Sequence, residues 1–209
     1  GYDINQDLIL SIKKGDVNEE ESGLKSIVNK VIKNGSLTLT SKMQKADIYI
    51  IAVPTPLKYE NHKEPIPNMD IVYDVAEKLA DYIEEGNMII LESTSSIGST
   101  AKVADLIEQY SGISKDNIDF VCCPERVIPG NIMNEIINND RIVGGLNSRS
   151  TKRCKNFYEL FCKGKIHQTN SQTAELAKLT ENAYRDVNIA FANEISIICE
   201  KLNIDTHKL

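Results

Sequence analysis

The stretch AKLTENAYRDVN, residues 177–188, carries a cation, an amide and a guanidinium at helical spacing. At 3.6 residues per turn, Lys178, Asn182 and Arg185 fall at i, i+4 and i+7 and share one face. Leu176, Ala177, Leu179, Ala183, Val187, Ile189, Ala190 and Phe191 surround them, so the helix reads as apolar over most of its circumference and otherwise buried. Buried charge needs partners or a job, which makes this stripe a candidate polar site. The alternative is an ion-pair row with Glu175, Glu181 and Asp186 on a solvated face.

A second candidate is CCPERVIPGN, residues 122–131. Two prolines and a glycine stiffen this loop and hold Glu125 and Arg126 at a strand terminus. Arg126 suits a carboxylate or a phosphate. Glu125 suits a water or a sugar hydroxyl, and a plain Glu–Arg surface pair is the other reading. Hydroxyls also cluster where strands end: Thr55 in AVPTP, Thr94 in EST, and Ser99 and Thr100 after Gly98. Such groups bond ribose, phosphate or a nicotinamide amide, or they simply cap. Asp3 follows a strand remnant and precedes a helix, the place of a ribose-binding acid or of a helix N-cap. None of the eleven glycines forms the G-x-G that should lie about 20 residues before such an acid. The expectation is that the chain starts inside the second strand of a dinucleotide-binding unit.

Positioning these residues takes alternating strands and helices. Helical patterns cover Leu8–Ile12, Gly23–Lys33, Asp70 to about Glu85, a start near Gly98-Ser99-Thr100, Ser150–Cys162, and an unbroken run over 171–202. Strand patterns cover ADIYIIAVP (46–54), NMIILEST, IDFVCCPE, RIVGG and 164–169, with a proline-bearing loop, TPLKYENHKEPIP, after the first. The alternation predicts an α/β doubly wound parallel sheet, Rossmann-like, with ligands beyond the carboxyl ends of its strands. The last helix, ~48 Å at 1.5 Å per residue, reads as a spine to another domain or subunit.

Net charge −6 argues against nucleic acid or an anionic membrane as main partner. No apolar run approaches the ~20 residues that span a bilayer, and the opening residues do not read as a signal peptide. Cys122, Cys123, Cys154, Cys162 and Cys199 lack C-x-x-C spacing and read as reduced cytoplasmic thiols in packing roles. With His62, His167 and His207 scattered, no metal site is expected.

GYDIN, AVPTP, LESTSSIGST, CPERVIPGN, NDRIVGG and NSQTAELAKLTENAYRDVNIAFANE together resemble the UDP-glucose/GDP-mannose dehydrogenase family. The PERV-x-PG loop followed by NDR-x-VGG favours its UDP-N-acetylhexosamine branch over the UDP-glucose one. The resemblance implies oxidation of the C6 hydroxyl of UDP-N-acetyl-D-mannosamine to a carboxylate by two hydride transfers to NAD, through a cysteine thiohemiacetal and thioester. It implies catalytic roles for Lys178, Asn182 and Glu125, with Lys178 in proton transfer and oxyanion stabilisation and Glu125 near the hydrolytic water. Substrate contacts fall on Arg126, Val127, Lys178, Asn182 and Arg185, and NAD-facing positions on Asp3, Thr55, Thr94 and Thr100. It divides the chain into an NAD-binding unit over 1–170, incomplete at its start, and the opening of a central helical unit over 171–209 that dimerises through the 171–202 helix. The glycine loop would precede residue 1 and the nucleophilic cysteine would follow Leu209, so the 209 residues alone are expected to be inactive. UDP-N-acetylglucosamine as substrate, a β-hydroxyacid dehydrogenase, and a non-catalytic nucleotide-sugar-binding or dimerisation module remain the alternatives.

Overall fold

The computed structural model describes residues 1–17, 21–59 and 64–209; the 60–63 part of the proline-bearing loop lies outside these. The described helices are α1 (Gln6–Lys13), α2 (Leu24–Lys33), α3 (Asp70–Leu79), α4 (Ser99–Ser111), α5 (Ile132–Asn138), α6 (Ser148–Tyr158) and α7 (Ser171–Leu202). The strands are β1 (Ile48–Ile51), β2 (Leu57–Lys58), β3 (Ile66–Pro67), β4 (Met88–Leu91), β5 (Asp119–Cys122), β6 (Arg141–Gly145) and β7 (Ile166–Asn170). Five of them form one sheet in the order β1-β4-β5-β6-β7, while β2 and β3 make a short antiparallel pair.

Alternating side chains of the central strands feed two cores, as the two-residue period of a strand requires. Ile89, Leu91 and Phe120 pack with Val72, Ala76, Val103 and Ile107 of α3 and α4 on one face. Met88, Ile90 and Val121 pack with Cys154 and Tyr158 of α6 on the other. α7 lies against β5, β6 and β7 and touches α4. Gly144 permits this approach, because a Cβ there would stand 2.2 Å from the Asn170 carbonyl oxygen and 2.8 Å from the Ala174 Cβ. The N-terminal residues stand apart from the sheet, where Tyr2 bridges Thr40 in parallel.

The α/β sheet is as expected, with corrections. It is mostly but not wholly parallel, since β6 runs against β5 with Val121 opposite Gly145 and Cys122 opposite Gly144. The alternation of strand and helix patterns carries no sign of a strand's direction. α3 ends at Leu79, well short of Glu85, because the chain turns twice before Gly86 adopts φ 82°. α5, directly after the proline-and-glycine loop, is an element the sequence patterns do not predict. The continuous apolar run 46–54 predicts a strand buried on both faces, but in β1 Ile50 is 46% exposed. Nor is α7 a buried helix: among its residues only Ser171, Ala174, Glu175 and Cys199 are buried. Tyr184, Val187, Ile189 and Phe191 are exposed, since the sheet supports only the first turns of the helix.

At the amino end of β5, the buried Asp119 accepts from Arg149 Nε and Arg153 Nη1, both at 2.8 Å, and from Ser150 Oγ at 2.9 Å. Burial pushes its carboxyl up, but the hydrogen bonds from Arg153, Arg149 and Ser150 outweigh that and hold it below the usual carboxylate range. The ionised form therefore adds stability in full above pH 3.8, which is lost as pH falls below that value through the lowered native one. Asp119→Asn should cost about 1–3 kcal/mol in urea unfolding at pH 7, discounted from a fully buried pair because both arginines are half-exposed. The gap to the parent chain should close progressively as the same measurement is repeated below pH 3.8.

Candidate active site

The carboxyl ends of β1, β4 and β5 face one edge of the sheet, and Thr55, Thr94, Thr100, Glu125 and Lys178 gather there, while Asp3 stands apart with the N-terminal residues. α4 starts at that edge with Gly98 as its N-cap at φ 89°, so neither Ser99 nor Thr100 caps it as expected. Glycine offers no side-chain acceptor, and the missing one comes from α7. Glu175, 1% exposed, accepts from Gly98 N at 2.6 Å, Thr100 N at 2.8 Å and Thr100 Oγ1 at 2.6 Å. The solvated row expected as an alternative for Glu175 is thus excluded: this carboxylate fills the positive end of α4.

Three residues on, Lys178 is partly buried, and its charge acts on both Glu125 and Glu181. Among the described residues its ammonium makes no hydrogen bond or ion pair, so its donors are free for a ligand. Glu125 lies just past β5 and keeps access to water. Burial of its inner side raises its pKa first; Lys178 pulls it down, Glu92 up, Arg141 down and Glu135 up. One Glu125 oxygen accepts from Val127 N, which fixes the loop. Glu135 accepts from Ile128 N at 2.8 Å, and the buried Glu21 accepts from Gly130 N and Ile132 N.

Arg126 is paired, and its partner is Glu181 rather than Glu125. Nε and Nη2 form a two-pronged contact at 3.0 and 2.8 Å, and Nη1 donates to the Asp140 carbonyl at 3.1 Å. The Arg126 hydrogen bond holds Glu181 below its ordinary pKa against burial, aided by Lys178 and Arg185. Arg185 is exposed and Asn182 half-buried, with no side-chain hydrogen bond for Asn182 among the described residues. Arg126 and Glu181 also border an open groove of about 550 Å³ with Ile142, Leu176, Thr180 and Tyr184. That groove uses a different face of α7 from Lys178 and Asn182, as 100° per residue requires.

Thr55 Oγ1 donates to the Thr94 carbonyl at 2.7 Å, tying the loops after β1 and β4 together. Thr94 keeps its hydroxyl uncommitted among the described residues, and beside it the buried Ser95 hydroxyl faces the Cys122 thiol. Thr100 is 2% exposed, with its hydroxyl spent on Glu175. Asp3 accepts from Asn5 N at 2.8 Å, while Asn5 caps α1, so Asp3 is not the N-cap, and its other oxygen has no partner among the described residues. No hydrogen bond joins Asp3 to the Thr55–Thr94 pair among the described residues. Thr94 thus keeps a hydroxyl for a polar ligand, whereas the Gly98 and Thr100 donors at the α4 terminus are spent on Glu175.

All five cysteines are free and buried. Burial raises Cys122 and Cys154, and pushes Cys123 up to about 11, the opposite of an activated thiolate. Sequence reasoning missed the anchoring role of Glu175, although a lone acid in the run Ala174-Glu175-Leu176-Ala177 is its signal. It also missed Arg141 and Tyr158, which only the fold brings to Glu92.

Residues 1–162 match the NAD binding domain of the UDP-glucose/GDP-mannose dehydrogenase family, and residues 172–209 match its central domain. The chain belongs to this family. Similar to this family member, at 42% identity, is a UDP-N-acetyl-D-mannosamine dehydrogenase of Campylobacter jejuni, aligned over 100% of the chain and 53% of the relative. One from Escherichia coli (strain K12) is 40% identical over 100% of the chain and 51% of its own length. A UDP-D-ManNAc dehydrogenase from Pyrococcus horikoshii superposes with TM-score 0.91 at 32% identity, covering 100% of this chain and 50% of that one. The chain thus spans about half the length of the curated relatives it matches. A 3-hydroxyisobutyrate dehydrogenase from Mycobacterium tuberculosis shares the fold alone, at 16% identity over 86% of this chain and 56% of that one, with TM-score 0.61.

Glu175→Ala should lower the unfolding free energy by about 3 kcal/mol, because three donors lose a charged acceptor in a buried setting. Glu175→Gln should cost less, its amide oxygen still accepting; a Glu175→Ala chain as stable as the parent in urea titrations would deny the carboxylate its anchoring role. The four thiols packed at the sheet, Cys122, Cys123, Cys154 and Cys162, should stay silent toward Ellman's reagent in the native chain and react in denaturant.

Proposed function

We propose that this chain is the NAD-binding part, over about 1–170, and the first central helix of an enzyme oxidising UDP-N-acetyl-D-mannosamine. The product is UDP-N-acetyl-D-mannosaminuronate, reached from the C6 hydroxyl by two hydride transfers. The observation that carries this reading is the convergence of Lys178 and Glu125 at the carboxyl end of β5, in a chain about 40% identical to enzymes so named.

In this proposal Asp3, Thr55 and Thr94 hold NAD, which supplies a hydride acceptor when bound; Thr100 contributes through the order it gives the α4 terminus. The free Lys178 ammonium takes or stabilises negative charge at the C6 oxygen, and Asn182, one turn on, bonds the same centre. Glu125 holds the water that releases the acid. Arg126, Val127 and Arg185 border the nucleotide sugar. The sulfur nucleophile of the second oxidation is assigned to a cysteine outside these 209 residues, since those within are buried.

The exposed apolar face of α7 supports a homodimer through residues 171–202. Free, unpaired cysteines support the cytoplasm as the compartment. No helix of the described residues is long and apolar enough to cross a membrane.

In the full-length gene product given NAD and UDP-N-acetyl-D-mannosamine, Lys178→Ala should lower kcat for NADH formation by roughly 10²–10⁴-fold. Undiminished turnover would remove Lys178 from the reaction. Faster turnover of UDP-N-acetylglucosamine would reassign the sugar.

A further inference from the structure

Four elements present charge to Glu125: Glu92 just past β4, Glu135 in α5, Arg141 opening β6 and Lys178 in α7. Glu135 is spent on the loop backbone, and Lys178 belongs to the proposed chemistry. Glu92 and Arg141 have no such task. Glu92 is joined to Glu125 through the main chain, its carbonyl accepting from Glu125 N at 3.3 Å. Its carboxylate accepts from the Tyr158 hydroxyl and faces Arg141 Nη1 at 3.9 Å.

Arg141 is fixed in turn. Its guanidinium carbon lies 4.6 Å from the Tyr158 ring centroid, Nε donates to Cys162 Sγ at 3.0 Å, and Nη2 donates to the Ile136 carbonyl at 3.4 Å. The arginine side chain is only 12% exposed and that of Glu92 only 22%. Ion pairs so shielded add little net stability over apolar packing, so stability alone does not account for them. What they do have is a fixed geometry at the neck of the loop that bears Glu125.

We propose that Glu92, locked by Tyr158 and Arg141 and hydrogen-bonded to Glu125 through the main chain, is a positioning residue for Glu125, presenting its carboxylate at the neck of that loop. With Arg141 as counterweight, the pair governs when Glu125 carries a proton beside Lys178. The influences on Glu125 run the required way, burial raising it, Lys178 lowering, Glu92 raising, Arg141 lowering and Glu135 raising. The inference deepens the proposed function by resting on Glu125 as the group that holds the hydrolytic water.

The test is a ¹³C-carboxylate NMR titration of Glu125 in the chain and two variants. Glu92→Gln keeps an acceptor for Tyr158 but removes the charge, and should move the Glu125 midpoint down. Arg141→Gln should move it up. Opposite displacements support the proposal, because a purely structural lesion has no reason to change sign. An unmoved midpoint in Glu92→Gln overturns it, and this conservative variant decides alone if Arg141→Gln does not fold. The titration needs no turnover, so its outcome is separate from the activity reading. In the full-length protein, Glu92→Gln should carry the acid limb of the kcat profile down with the midpoint; a moved midpoint with an unmoved limb overturns the role in the reaction.

Discussion

A single carboxylate, that of Glu175, sets where the long helix stands. Withdrawing a charge from water is costly unless hydrogen bonds replace the hydration, and three donors at the start of α4 do so at the positive end of the helix. The contact fixes α7 in height and in rotation together. At 100° per residue, a helix locked at 175 carries 178, 182 and 185 to definite bearings. Gly144 completes the constraint by letting the helix backbone close on β6, where any side chain would prop it away.

The reversed strand β6 explains how distant segments meet. Running against β5, it puts its first residue, Arg141, near the end of β5 where Glu125 emerges, and β7 follows it in parallel. α7 then leaves β7 level with Gly145 and returns toward the same edge, bringing Glu175 to α4 and Glu181 to Arg126. The loop 124–131 is held there by carboxylates from four places: its own Glu125, Glu135, Glu21 and Glu181. Prolines narrow the conformations of that loop, and the acids choose among them.

The local patterns of the chain were legible wherever period and length were strong. The run 171–202 matches α7 to the residue, and the apolar cores of β4 and β5 stand where continuous hydrophobic stretches put them. Long-range pairing was not legible. Nothing in Arg126 says that Glu181, 55 residues away, takes its guanidinium, and nothing in Gly98 says that its cap arrives from α7. The apolar circumference of α7 was read as burial, but periodicity reports what a face prefers, not whether its partner surface lies within the same residues. Strand direction is likewise settled by connection geometry, which is why the antiparallel β6 escaped a pattern-based reading.

The uneven footing of α7 divides its dynamics. Its first turns rest on the sheet and on the buried Glu175, while from Arg185 onward the sole buried residue of the helix is Cys199. Opening that distal part breaks bonds within the helix and to the segment that follows it, but none to the sheet, so it need not wait for the sheet to unfold. Amide hydrogens beyond residue 185 should therefore exchange with solvent through local fraying, ahead of those of β4 and β5, which the core protects.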